Sequence, residues 1–89
     1  RQAIRDEVEV DIHYRDAEGI PTGRIIYPLA LGYFQDREVL IAWCTLRQDY
    51  RQFRIDRIDS LELRTARLPE PRRTLFHRWQ ASLNLPDLR

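Results

Sequence analysis

"EVEVDIHY", residues 7–14, alternates without a fault: Val8, Val10, Ile12 and Tyr14 fall on one side of an extended chain, and Glu7, Glu9, Asp11 and His13 on the other. Successive side chains leave a strand on opposite faces, so a period of two marks a half-buried β-strand. The preceding "RQAIRD", 1–6, is too short for a helix of its own and fits the last turn of one. After it, "RDAEGIPTG", 15–23, supplies turn chemistry through Gly19, Pro21 and Gly23.

Further strands are expected at "RIIYPLALGYF", 24–34, at the nearly continuous apolar run "EVLIAWC", 38–44, at "RQFRIDRI", 51–58, and at "SLELRTA", 60–66. Pro28 has no N–H for a ladder, so it predicts an edge position or a bend in the second strand; Gly32 allows a further bulge. "QDR", 35–37, and "TLRQDY", 45–50, read as the connections. Pro69 and Pro71 end the sheet, and "EPRRTLFHRWQASL", 70–83, reads as a helix carrying Leu75, Phe76, Trp79 and Leu83 at helical spacing. Strands this bent in so short a chain predict a mainly β fold: a small five-stranded antiparallel barrel of the Sm-like or SH3 type with a C-terminal helix. The expected division is a barrel over 1–68 and a helical extension over 69–89.

The chain has 89 residues, 43% hydrophobic and 33% charged, a composition suited to one globular domain. No apolar run approaches the ~18 residues of a membrane span, so no membrane partner is expected. The single Cys44 excludes an internal disulfide and points to a reducing, cytoplasmic setting. Methionine is absent, which fits a piece excised from a longer protein.

No catalytic constellation assembles. His13 and His77 are far apart and one cysteine cannot make a zinc spacing, so neither metal nor cofactor is expected, nor an enzyme. There is no glycine-rich phosphate loop and no serine-nucleophile motif, and Cys44 ends an apolar strand as a buried thiol would.

The charge is distinctive in kind. The net is only +1, but all fifteen basic residues are arginine, a result that a GC-rich genome alone also produces. Arg47, Arg51, Arg54 and Arg57 cluster among Tyr50, Phe53 and Ile55. Two readings stay open. In one, Asp49, Asp56 and Asp59 neutralise a solvated surface, and Arg54 pairs with Asp56 two residues away. In the other, Arg24, Arg47, Arg51 and Arg54 are forks for phosphate, with Tyr14 or His13 beside them to stack or hydrogen-bond. The candidate ligand-binding set is therefore His13, Tyr14, Arg24, Arg47, Arg51, Arg54 and Arg57. Phe53 and Trp43 read as core. Arg72, Arg73 and Arg78 read as the polar face of the terminal helix, whose apolar stripe needs a partner if it does not pack on the barrel.

From "AIRDEVEVDIHYRDAEG" through the Arg24 and Pro28 pair, "LIAWCTLRQD" and "FRIDRI", the sequence resembles the WYL domain over roughly residues 3–66. This module follows helix-turn-helix domains in many bacterial transcription regulators. The tripeptide that names the family falls on Glu38, Val39 and Leu40, so only its leucine is kept. The resemblance implies an Sm-like barrel that senses a single-stranded nucleic acid or nucleotide and thereby alters binding to promoter DNA. It also implies an N-terminal DNA-binding domain missing from this fragment, and a homodimer. The competing readings are a dimerisation or protein-interaction module with no ligand of its own, and an Sm-like subunit acting on RNA.

Overall fold

The computed structural model describes residues 2–83. In chain order the elements are α1 (Gln2–Asp6), β1 (Val8–Arg15), β2 (Pro21–Phe34), β3 (Arg37–Cys44), β4 (Asp49–Arg54), a 3₁₀ turn (Ile55–Arg57), β5 (Ile58–Arg67) and α2 (Arg72–Ser82). All five strands form one antiparallel sheet in the order β4-β3-β2-β1-β5. Residues 84–89 of the expected C-terminal extension lie outside the described residues.

The connection between β4 and β5 forces the sheet to roll. These strands occupy opposite edges, and the outer strands of a flat five-stranded sheet stand about 19 Å apart. Only Ile55–Arg57 separates them, and four Cα steps reach at most roughly 14 Å. The sheet therefore curls, bringing β1 against β4: the Tyr14 and Phe53 rings meet edge-to-face at 5.1 Å, and the Arg54 backbone N–H donates to the Tyr14 hydroxyl at 3.1 Å. This is the SH3-type barrel with a C-terminal helix.

Rolling gives the sheet an inner and an outer face, each with its own core. Inside are Val10, Ile12, Tyr14, Ile26, Leu40, Ala42, Cys44 and Phe53, closed at one end by Ala3 of α1. Outside, Leu29, Ile41, Leu68 and Leu75 are buried beneath α2, with Tyr27, Tyr50, Phe76 and Trp79 packed around them. That β3 is covered on both faces explains why "EVLIAWC" reads as an unbroken apolar run. The helix stripe is thus partnered by its own barrel, apart from Leu83, which is 42% exposed.

Three expectations need correction. The fourth strand is Asp49–Arg54 rather than 51–58: it starts inside the expected 45–50 connection and stops early because Ile55–Arg57 turn to connect the sheet's two edges. Pro28 lies in β2, an interior strand; of the two options its missing N–H left, the bend is realised, as a register shift between Pro28 and Ala30. Trp43 is half-buried on the outer face rather than inside, because the inner positions of β3 go to Leu40, Ala42 and Cys44.

Glu7 was expected on a solvated face, yet it does structural work. Pro71 has no side chain to cap α2, and the Glu7 carboxylate accepts the Arg72 N–H at 2.7 Å instead. A carboxylate at a helix N-terminus satisfies an orphan donor and meets the positive end of the dipole. The Arg72 guanidinium also donates to the Leu29 carbonyl at 3.0 Å, so the start of α2 is tied to both α1–β1 and β2.

Candidate anion-binding site

Register places several candidate residues at one end of the barrel interior. Ile12 faces Arg24 and Tyr14 faces Thr22 across β1 and β2. Ile26, two residues beyond Arg24, faces Cys44. Ala42 faces Arg51 and Leu40 faces Phe53 across β3 and β4. Tyr14, Thr22, Arg24, Cys44, Arg51 and Phe53 therefore share the inner face toward the same end.

Arg24 is the centre of this group. It is only 7% exposed and is the one buried charged residue among those described. Its Nε donates to the Thr22 hydroxyl at 3.3 Å, its Nη1 to the Cys44 sulfur at 3.7 Å, and its guanidinium carbon lies 5.8 Å from the Phe53 ring centroid. Among the described residues no carboxylate comes within ion-pair reach. A hydroxyl, a thiol and an aromatic face orient the guanidinium without neutralising it. Burying an ion costs several kcal/mol unless a partner repays it, and a guanidinium held this way has the chemistry to take an anion.

The other candidates divide around it. Arg51 is exposed on the same face, two residues from Asp49, and makes no ion pair among the described residues; Arg47 is exposed in the β3–β4 turn beyond Cys44. Tyr14 is buried, with its hydroxyl held by Arg54 N–H and its carbonyl accepting from Thr22. Arg57 is half-buried one residue before Ile58, the register partner of Tyr14. Arg54 points to the opposite face and forks onto Asp56 at 3.0 and 2.6 Å. That hydrogen-bonded pair holds the Asp56 carboxyl below the usual carboxylate range and raises the arginine further. His13 is exposed on the outer face of β1, opposite to Tyr14. Register thus puts Arg24, Arg51 and Tyr14 on the inner face toward the Arg47 turn, and leaves His13 and the Arg54 side chain on the outer face. Sequence reasoning passed over Thr22 and Cys44 as partners of Arg24; the period-two pattern from Tyr14 across the turn is the signal that aligns them.

A depression of about 290 Å³ opens toward the α1 end, among Ala3, Ile4, Leu40, Ile55, Leu61 and Leu63. Its wall is apolar apart from Gln2 and Glu38, so it offers an anion nothing. Among the described residues no group of His, Cys, Asp and Glu could hold a metal, and no helix is long and apolar enough to cross a membrane.

Comparison with known proteins identifies the family. The DNA-binding transcriptional repressor CapW of Stenotrophomonas maltophilia is 39% identical over 62 residues, covering 68% of this chain and 21% of the repressor. The chain thus spans about a fifth of that relative's length. Among solved structures, the proteasome accessory factor B/C (PafBC) of Arthrobacter aurescens matches with a TM-score of 0.71 and 29% identity, over 76% of this chain and 11% of that one. The family model for the WYL domain matches residues 1–63, and the chain belongs to the WYL domain family.

Proposed function

We propose that this WYL domain is the effector-sensing module of a bacterial transcription regulator, a cytoplasmic binding module rather than an enzyme. Its ligand is anionic, a single-stranded nucleic acid or a nucleotide. Arg24 grips a phosphate from inside the barrel end, Arg51 and Arg47 approach it from the rim, and Tyr14 and Arg57 border it. The buried Arg24, with no carboxylate partner among the described residues, carries this reading. In a homodimeric regulator, a ligand that favours one arrangement of the attached domains shifts affinity for promoter DNA by that difference.

Fluorescence anisotropy of labelled single-stranded oligonucleotides and nucleotides at two salt concentrations tests the proposal. Each phosphate contact contributes ~0.7 to the logarithmic salt slope for a single strand. Arg51→Ala should weaken binding and flatten the slope by about that amount, whereas Arg54→Ala, whose fork is occupied by Asp56, should change little. Salt-insensitive binding, or equal losses in both variants, would refute the phosphate grip.

A second reading, an interaction module without a ligand, is favoured by one observation. Among the described residues edge strand β5 pairs with β1 alone, and it exposes Leu61 and Leu63 at 44% and 42%. A dimer by sedimentation that ignores every nucleotide and oligonucleotide would decide for it.

A further inference from the structure

Three aromatic residues form a row across the outer face of the sheet: Tyr27 faces Trp43 across β2 and β3, and Trp43 faces Tyr50 across β3 and β4. Trp43 and Tyr50 meet edge-to-face at 4.9 Å. All three are half-buried, because the helix above covers the row only in part. Between row and helix lies a crevice of about 270 Å³, completed by Pro69, Leu75, Glu70 and Arg78. Its rim is polar but electrically closed. Arg78 forks onto both oxygens of Glu70, and this bond holds the Glu70 carboxyl low and Arg78 high.

We infer that this crevice is a second binding site, taking one planar heteroaromatic ring, a nucleobase. Size, wall and rim each narrow the ligand class. Ligand sites usually measure ~300–1,000 Å³, so this one holds a single ring system rather than a whole dinucleotide. Aromatic walls offer π-faces and edges that a flat ring stacks upon, and every base has such a face. An ammonium ion would need the Glu70 charge, which Arg78 neutralises, so a neutral ring fits better than a cation. Glu70, Arg78 and the Tyr50 hydroxyl still offer acceptors and donors to the edge of a base.

The crevice is separate from the Arg24 end, on the opposite face of the sheet. Tyr50 and Arg51 are nevertheless consecutive residues of edge strand β4, so both sites flank the same strand. The inference rests on the nucleic-acid reading only for the source of the base, which is either a free nucleoside or an unpaired base of a strand. A ring lodged here also touches α2, so its arrival bears on how that helix sits.

The test uses an uncharged probe, adenosine, followed through the two indole N–H resonances of the protein. Adenosine should shift the Trp43 resonance, and Tyr50→Leu, which keeps apolar bulk but removes the ring, should weaken binding by roughly 5- to 150-fold, the range of one lost stacking partner. Arg51→Ala should leave adenosine binding unchanged, so failure of the phosphate grip and failure of the crevice are read separately. A thermal melt of Tyr50→Leu confirms that the variant folds, and Glu70→Gln gives an independent perturbation at the rim. An oligonucleotide that shifts Trp43, and loses the shift when one nucleotide is made abasic, identifies a strand as the source. Adenosine acting where oligonucleotides do not identifies a free nucleoside. No Trp43 shift with millimolar adenosine or with any oligonucleotide, or equal affinity in Tyr50→Leu, would overturn the inference.

Discussion

In the proposed function, Arg24 sets stability against binding at a single residue. A buried guanidinium without a carboxylate is a cost to the fold, and replacing buried charge with apolar bulk is often neutral or stabilising by ~1–4 kcal/mol. Arg24→Met should therefore hold or raise the unfolding free energy in urea titrations while abolishing salt-sensitive ligand binding. A purely structural arginine would behave oppositely, destabilising the fold on removal. Tyr14 is the contrasting case: its hydroxyl accepts the Arg54 N–H and fastens β1 to β4 across the roll. Tyr14→Phe should cost ~0.5–1.5 kcal/mol, the net worth of one hydrogen bond, measured by the same titrations.

Among the elements, the turns carry strain that substitution can remove. Gln35 and Asp36 link β2 to β3 with φ of 52° and 62°, both in the left-handed region. Two consecutive positive φ values define the type I′ hairpin turn, which prefers Asn-Gly. The double change Gln35→Asn with Asp36→Gly should stabilise by roughly 1 kcal/mol, seen as a higher melting temperature with unchanged ligand affinity. Helix α2 depends on a cap supplied from a distant part of the chain. Glu7→Ala leaves the Arg72 N–H without its acceptor and should cost ~0.5–2 kcal/mol.

For the whole molecule, two cores share one sheet, and α2 belongs to the outer one. Leu75→Ala empties a position only 6% exposed and should cost about 2–5 kcal/mol in a cooperative melt, since inner and outer residues alternate along the same strands. Acid should act through the paired carboxylates. Asp56 is held low chiefly by its hydrogen bonds from Arg54, and Glu70 by those from Arg78. Because their folded values lie below the unfolded ones, the pairs contribute fully above the ordinary carboxylate range near pH ~4. That contribution is lost as pH falls through the depressed folded values. Melting temperature should thus stay level from pH 7 to about 5 and decline below. Asp56→Asn should shallow that decline.

Local pattern alone determined the strands, the terminal helix and most of the inner core. Val10, Ile12, Phe53 and Leu75 declare themselves by a period of two or by helical spacing, and Pro69 and Pro71 mark where one pattern yields to the other. The turn at Gly19 and the double-faced apolar run of β3 were equally plain, being properties of the backbone within a few residues, whereas Pro21 and Gly23, read as turn residues, belong to β2. What required the tertiary structure was everything set by the roll of the sheet. Ile55 continues the alternation of β4 yet turns, because the two edges must be joined. Tyr14 meets Phe53, the ring beneath the Arg24 guanidinium, only because curvature brings β1 across to β4, while the adjacent Arg54 side chain is turned outward onto Asp56. Glu7 finds the start of α2 65 residues away. A charge counts as solvated or buried only by what the rest of the chain places around it, and no local spacing carries that information.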